Sequence, residues 1–353
     1  MAELQGLTVS DFPFLRMKPV NMPWVLWGNL AWGWRDKPYL REPAQWPLAM
    51  QREWGDDRDQ GRTAGAAHQQ RQIRQFERLG KALDEFDPDL LVVFYRDVHE
   101  TFAGEERPRF WIHSHDAVRC QMYNLWTFFR DNYFEENPDR VDTLSGHPEA
   151  AALLTRALTD AGIETRVVER SPHPNGLGHN AIATAVHLDW ERQEYRRPIL
   201  PIGIDPFRFD RVRSEEGLTP WDRDNPNPPL TPREAFDLGV EIARALRASP
   251  WRAALVAGAD WSHANDSGLE LERIHPDIDA DERRFDQWRR GAFTDWGSDW
   301  SFEEMERHAQ WELLIAIVLA GAMSETGAPV VYADFQPTWV CNDNFVTTLF
   351  EPR

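Results

Sequence analysis

The run from Asp89 to Phe102, DLLVVFYRDVHETF, constrains the fold most. Six consecutive apolar or aromatic residues, Leu90 to Tyr95, lead straight into Asp97, His99 and Glu100. A continuous run of that length, rich in Val and Phe and preceded by Pro88, reads as a strand buried on both faces, which marks a parallel sheet covered by helices. Open α/β sheets gather ligands at the carboxyl ends of their strands, so the acidic and imidazole groups at this end are candidate site residues.

The rest of the chain repeats the pattern. Gly6–Ser10 is a short apolar strand candidate that ends at Asp11, and Gly65–Phe86 carries Ile73, Phe76, Leu79 and Leu83 at helical spacing ahead of the strand at Leu90. His147–Ala161 reads as a helix closed by Gly162 and followed by the strand candidate IETRVVE, and RPILPIGID, ending at Asp205, reads as a further strand. Thr231 as N-cap, Pro232 in the first turn and Glu234 three residues on open a helix to about Ala248, after which AALVAGAD forms a strand running into WSHAND. Residues 212–232 carry Pro220 and four prolines between Pro226 and Pro232, so they read as a surface loop. Residues 269–301 mix acids and Trp without a period, and Phe302–Met323 reads as one long helix. No repeat or low-complexity linker divides the chain. The expectation is one α/β domain over residues 1–353, with a mixed or mainly parallel central sheet flanked by helices.

Composition narrows the partners. Lys plus Arg total 39 against 58 Asp plus Glu, a net charge of −19, which disfavours a polyanion, so no nucleic acid is expected. The start, MAELQGLTVSDF, lacks the basic segment and apolar core of a signal peptide, and the longest apolar run, Leu313–Met323, is too short to cross a bilayer. A cytoplasmic protein without a membrane span is the expectation. Cys120 and Cys341 form no CxxC pair and are read as separate reduced thiols, with a single bridge between them as the alternative. The early tryptophans Trp24, Trp27, Trp32, Trp34 and Trp46 are read as core or dimer-interface packing, with an aromatic-lined pocket as the alternative. A homodimer is the default assembly.

Four polar residues emerge at comparable places, where apolar or Gly-rich segments end: Asp11, His99, His179 in NGLGHNAIA and His263 in VAGADWSHAND. A fifth, Glu312, precedes the apolar half of the last helix. A carboxylate facing an apolar core is costly unless paired or bound to a cation, so Glu312 needs a partner unless it lies exposed at the helix margin. Carboxylates and imidazoles from distant segments are also the donor set of a mononuclear metal site with positions open for substrate and dioxygen.

In order, GLTVSDFP, PDLLVVFYRDVHETF, GLGHNAIATAV, LPIGID, ALVAGADWSH and WELLIAIVLAGAM resemble the landmarks of the class III extradiol ring-cleavage dioxygenases, such as the catalytic subunit of protocatechuate 4,5-dioxygenase, from Gly6 to about Met323. The resemblance implies a non-haem Fe(II) site that a catechol- or aminophenol-like small aromatic chelates before dioxygen binds. It implies that Glu312 is a metal ligand, that His263 is the acid/base histidine, and that His179 lines the substrate. Two positions depart from the family. Asp11 stands where the family has a ligating histidine, and the second ligand position falls at Val98, one residue from His99. A one-residue slip in a strand reverses the face, so His99 ligates only if the strand bulges or has ended, and His113 and His115 in RFWIHSHDAV are the alternates. Asp11 in place of His favours harder cations. Two readings follow: a site holding Fe(II) or another divalent metal through Asp11, Glu312 and His99 (or His113 or His115), or a related scaffold that binds no metal and serves as a binding or partner subunit. A third keeps the metal for hydrolysis or isomerisation.

Overall fold

The computed structural model describes residues 1–33, 42–97, 100–102, 108–121, 123, 134, 136–206, 228–264 and 274–353. Apolar runs become strands and amphipathic runs become helices in the expected order. The first half contains β1 (Leu4–Val9), α1 (Trp24–Gly28), α2 (Leu48–Trp54), α3 (Arg62–Phe86), β2 (Leu90–Arg96), β3 (Phe110–His113), β4 (Ala117–Cys120), β5 (Asp142–Ser145), α4 (Pro148–Asp160) and β6 (Arg166–Val168). The second contains α5 (His179–Leu188), β7 (Ile199–Ile204), α6 (Pro232–Arg247), β8 (Ala253–Gly258), α7 (Ile278–Arg289), α8 (Phe302–Arg307), α9 (Leu313–Thr326), β9 (Val330–Gln336) and β10 (Phe345–Phe350).

Eight strands form one mixed sheet in the order β6-β3-β7-β2-β8-β1-β10-β9, while β4 and β5 pair separately. The centre is parallel: β7 pairs with β2, β2 with β8, and β8 with β1 in that sense. Antiparallel neighbours, β3 on β7 and β10 on β1, flank it. Alternation along each strand sorts its side chains onto two faces. Val92, Phe94, Ile202 and Leu255 pack under α4, α6 and α9, whereas Leu91, Val93, Tyr95 and Val256 pack under α3 and α5. Burial on both faces is why β2 carries no polar residue before Arg96.

Thr231 caps α6 as expected: its side chain accepts from the Glu234 backbone and the Glu234 side chain accepts from the Thr231 backbone. The packing of α6 on α9 depends on two glycines. A Cβ on Gly239 would lie 1.8 Å from the Val318 carbonyl oxygen, and one on Gly321 would lie 2.0 Å from that of Phe236.

Several expectations need correction. The single helix over Phe302–Met323 is two helices, α8 and α9, broken at His308–Glu312 with Ala309 at φ +52°. The break turns two buried polar side chains toward partners: Gln310 donates to Asp281 Oδ1 at 2.5 Å, and Glu312 meets Arg96. Residues 278–289, where no period was visible, form α7, capped by Asp277 and burying only Ala280, Asp281 and Trp288. The hairpin β9–β10 lies beyond the last segment assigned from sequence. The described members of the early Trp group pack among themselves and their neighbours: Trp24 stacks on Phe14, Arg62 covers Trp27, and Trp46 meets Trp54 edge-on. Trp34, the Trp32 side chain and most of the proline-rich loop, residues 207–227, lie outside the described residues. Both cysteines are buried and unbridged. No described helix is long and apolar enough to cross a membrane.

Replacing Gly321 with Ala improves helix propensity by about 1 kcal/mol but forces α6 and α9 apart, an overpacking cost of about 1–3 kcal/mol or more when the obstacle is backbone. We expect Gly321→Ala to lower the urea midpoint of unfolding; a raised midpoint would contradict the close-packing assignment.

Candidate functional site

The four parallel strands end on one side of the sheet, and each delivers buried charged residues there: Asp11 after β1, Arg96 and Asp97 at β2, Asp205 after β7 and Asp260 after β8. Glu312, the residue before α9, reaches the same rim. One oxygen from each of Asp11, Asp260 and Glu312 lies within 4.8 Å of the other two, and each residue is only 1% exposed. Arg96 Nη2 lies 2.6 Å from Glu312 Oε1, and the Asp260 backbone N–H donates to Glu312 Oε2 at 2.8 Å. Asn180 Nδ2 donates to Asp11 Oδ2 at 2.6 Å, and Ser10 Oγ donates to Asp260 Oδ2 at 2.7 Å.

Burial raises the Asp11 carboxyl above its ordinary range, against the opposing pull of Arg96, Asn180 and His179. Burial raises Asp260 further, and the neighbouring charge of Asp11 adds to it. Two like charges in a shared low-dielectric site cannot both ionise without added positive charge.

His263 joins Glu312 from the other side. One ligand atom each from His263, Glu312 and Asp343 lies within 4.8 Å of the others, and His263 Nε2 is 3.4 Å from Asp343 Oδ1. The C-terminal turn is built against this histidine. His263 and Asp343 form a backbone bridge, the Ala264 N–H donates to the Asn342 carbonyl at 3.0 Å, and Asn342 Nδ2 lies 3.0 Å from His263 Nδ1. Asn342 has φ +76°, a left-handed conformation that Asn tolerates better than most residues.

His179 opens α5, and Glu100 holds it twice, accepting from its backbone N–H at 2.8 Å and from ring Nδ1 at 2.7 Å. Burial pulls Glu100 upward, but the charge and hydrogen bonds of His179 outweigh it and hold the carboxyl at about 2. An ionised carboxylate only accepts, so Nδ1 of His179 carries the proton.

Of the residues singled out from sequence, Asp11, Glu312 and His263 share the rim, and His179 bears electrostatically on Asp11. His99 and Val98 lie outside the described residues. The strand does not run through to Phe102. It stops at Arg96, and Asp97 closes a turn by accepting from the Glu100 and Thr101 backbone N–H groups at 3.0 and 3.3 Å. Burial, with Glu100 and Asp205 nearby and Thr101 opposing, raises Asp97 to about 6.

Among the described residues, His113 and His115 lie apart from the carboxylate cluster. β3 ends at His113, whose Nε2 accepts from Trp111 Nε1 at 3.1 Å and lies 3.0 Å from Tyr95 Oη, and neither ring enters a group of ligand atoms with Asp11 or Glu312. Burial, with His115 and His173 adding to it, pushes His113 down to about 3.

Asp260, Arg96 and Asp343 were missed. Asp260 and Arg96 carry the signal that marked Asp11, a charged residue at the end of an apolar strand. Asp343 had no local signal because the turn reaches the site only through tertiary pairing. His187 was missed as well: its Nδ1 donates to the Ser10 carbonyl at 2.6 Å, and its ring stacks on Phe76 at 4.4 Å, so it holds the strand end that carries Asp11.

No family model matches the chain, and no curated protein matches it. Among solved structures, an uncharacterized protein of Escherichia coli K12 is similar at 13% identity and a TM-score of 0.44, over 79% of this chain and 92% of that one. At that level, fold and function rest on this chain's own residues.

Burial depresses His187 to about 3 from an unfolded value of 6.5. The unfolded chain therefore binds the extra proton between those values, so this group's contribution is full above about pH 6.5 and falls as pH drops toward 3. His187→Phe keeps the stacked ring but cannot titrate. Between pH 7 and 4.5 its unfolding free energy, from urea titration, should decline less steeply than that of the wild type; parallel slopes would remove His187 from this role.

Proposed function

We propose that the chain is a divalent-metal-dependent enzyme of the extradiol ring-cleavage type, acting with dioxygen on a catechol- or aminophenol-like small aromatic. The observation that carries this reading is the convergence of Asp11, Asp260 and Glu312 within 4.8 Å, buried at the strand ends. The donor chemistry fits a divalent ion. Asp260 Oδ1 is buried without a hydrogen-bond partner, and an added positive charge would let Asp11 and Asp260 ionise together. An all-oxygen set suits hard cations such as Mn(II) or Mg(II), and a nitrogen donor from His99 would bring it toward the set used by Fe(II).

Asp11, Asp260 and Glu312 would hold the ion, which supplies Lewis acidity and open positions for substrate oxygens. His263, between Asn342 and Asp343, would accept a substrate hydroxyl proton and return it later, the general acid/base work that an imidazole can do. His179, with its proton directed to Glu100, would present the other ring nitrogen to substrate.

The Arg96–Glu312 pair at 2.6 Å favours a second reading. A guanidinium already balances one carboxylate, as in a non-catalytic binding scaffold. Metal analysis of protein equilibrated with Fe(II), Mn(II) or Mg(II), followed by an anaerobic catechol titration, separates the two. We expect about one ion per chain, lost in Glu312→Gln and Asp260→Asn and kept in His263→Ala. Wild-type protein that holds none of the three ions supports the scaffold.

Removing one partner of a buried ion pair costs about 3–5 kcal/mol, so Arg96→Met should be strongly destabilised. Under the metal reading, millimolar Mn(II) should recover part of that loss in thermal unfolding. Under the scaffold reading it should recover none.

A further inference from the structure

The two ends of the large sheet are built differently. β6, at one end, has three residues and opens on the exposed Arg166, a short and charged edge of the kind that resists pairing. β9, at the other end, has seven residues, VVYADFQ, with no Pro or Lys, and among the described residues no strand pairs with its outer side. Its register against β10 shifts between Leu349 and Phe350, which makes Val331 an extra residue and leaves it 56% exposed. A long, apolar, open edge offers its main-chain groups to another strand.

Hydrogen bonds on the neighbouring strand fix which groups face outward. Val346 of β10 turns its carbonyl toward β1, where Thr8 Oγ1 donates to it at 3.3 Å, so the next residue, Thr347, faces β9 and pairs with Asp334. Main-chain groups alternate in direction along a strand, which points those of Ala333 and Phe335 away from the sheet. The Phe335 carbonyl accepts from Arg71 Nη2 at 3.1 Å, while no hydrogen bond from a described residue reaches Ala333 on that side. Both faces of the strand are held. Tyr332 Oη donates to Gln75 Oε1 at 2.7 Å and Asp334 pairs with Arg71 at 2.7 Å, both on α3, while Phe335 stacks on Phe285 of α7 at 5.4 Å. The edge is therefore rigid before any partner arrives.

We propose that β9 is a dimer interface, pairing antiparallel with β9 of a second copy of this chain about a two-fold axis at Ala333 and joining the two sheets into one. A two-fold interface must match itself in reverse, and this edge does. Each Ala333 N–H donates to the Ala333 carbonyl of the second copy, and Val331 falls beside Phe335 of the second copy, apolar against apolar. Tyr332 falls opposite Asp334 of the second copy. The Arg78 guanidinium lies 4.2 Å from the Tyr332 ring centroid, so it arrives next to that Asp334, which is the strand's one acid. On a chain of net charge −19, a contact face with so little negative charge suits a second copy. No residue of the carboxylate rim takes part, so the proposal stands apart from the metal reading. Sedimentation equilibrium of the full chain over micromolar concentrations tests it. The wild type should sediment as a dimer. Ala333→Pro removes the outward N–H without touching the bonds to β10, and Val331→Lys places a charge on an exposed side chain; each should weaken the dimer at least tenfold with the far-UV circular dichroism unchanged. Should Ala333→Pro fail to fold, Val331→Lys alone decides. A wild type that stays monomeric throughout, or a folded variant of either kind that dimerises as tightly as the wild type, overturns the proposal.

Discussion

The pairing of Arg96 with Glu312, inside a group of three buried carboxylates, is the interaction on which the rim of the sheet depends. Like charges about 4 Å apart repel by roughly 4 kcal/mol at an effective dielectric of 20. One guanidinium offsets one of the three carboxylates directly and the others only at longer range. Burial shifts Asp11 and Asp260 toward their protonated forms, so the cluster is stable either with extra protons or with extra positive charge. Solvent cannot take over that neutralisation, because each of the three carboxylates is only 1% exposed.

Such a cluster persists only on rigid supports. Asp11, Arg96 and Asp260 come from strands whose backbones are paired on both sides, β2 and β8 by parallel neighbours and β1 by parallel β8 and antiparallel β10. Glu312 is fixed by α9, whose contact with α6 is close enough to require glycine at positions 239 and 321. The C-terminal turn adds Asp343 and Asn342 through main-chain bonds to His263 and Ala264. Side chains on strand ends and helix starts have few ways to relax, which keeps like charges together that a loop would let separate.

Local pattern was enough for the sheet and for part of the rim. Continuous apolar runs identified β1, β2, β7 and β8, and the polar residue after each run identified Asp11 and the region of Asp260. In the same segment His263 stood out as the acid/base histidine that the extradiol resemblance implies, while Asp260, the charge at the strand end, carries the signal that marks Asp11. The break before α9 was hidden because Gln310 and Glu312 look like ordinary helix residues until their buried partners, Asp281 and Arg96, are known. α7 buries one short stripe, too little for a period to stand out, and the approach of Asp343 to His263 spans 80 residues of sequence by long-range pairing alone (343 − 263 = 80).

Donor type, more than the number of ligands, separates this rim from a two-histidine iron site. Asp11 occupies a position where the extradiol resemblance implies a neutral imidazole, and Asp260 brings a second carboxylate within the same 4.8 Å. Each substitution of carboxylate for imidazole adds a negative charge that a neutral ligand would not, and Arg96 offsets part of that surplus. An entering dication therefore meets two opposed terms: attraction from the three carboxylates, and repulsion from a guanidinium already 2.6 Å from one of them. Under the metal reading, the affinity of the rim would be set by how far Arg96 can withdraw from Glu312, so that arginine, which no ligand count includes, would govern occupancy.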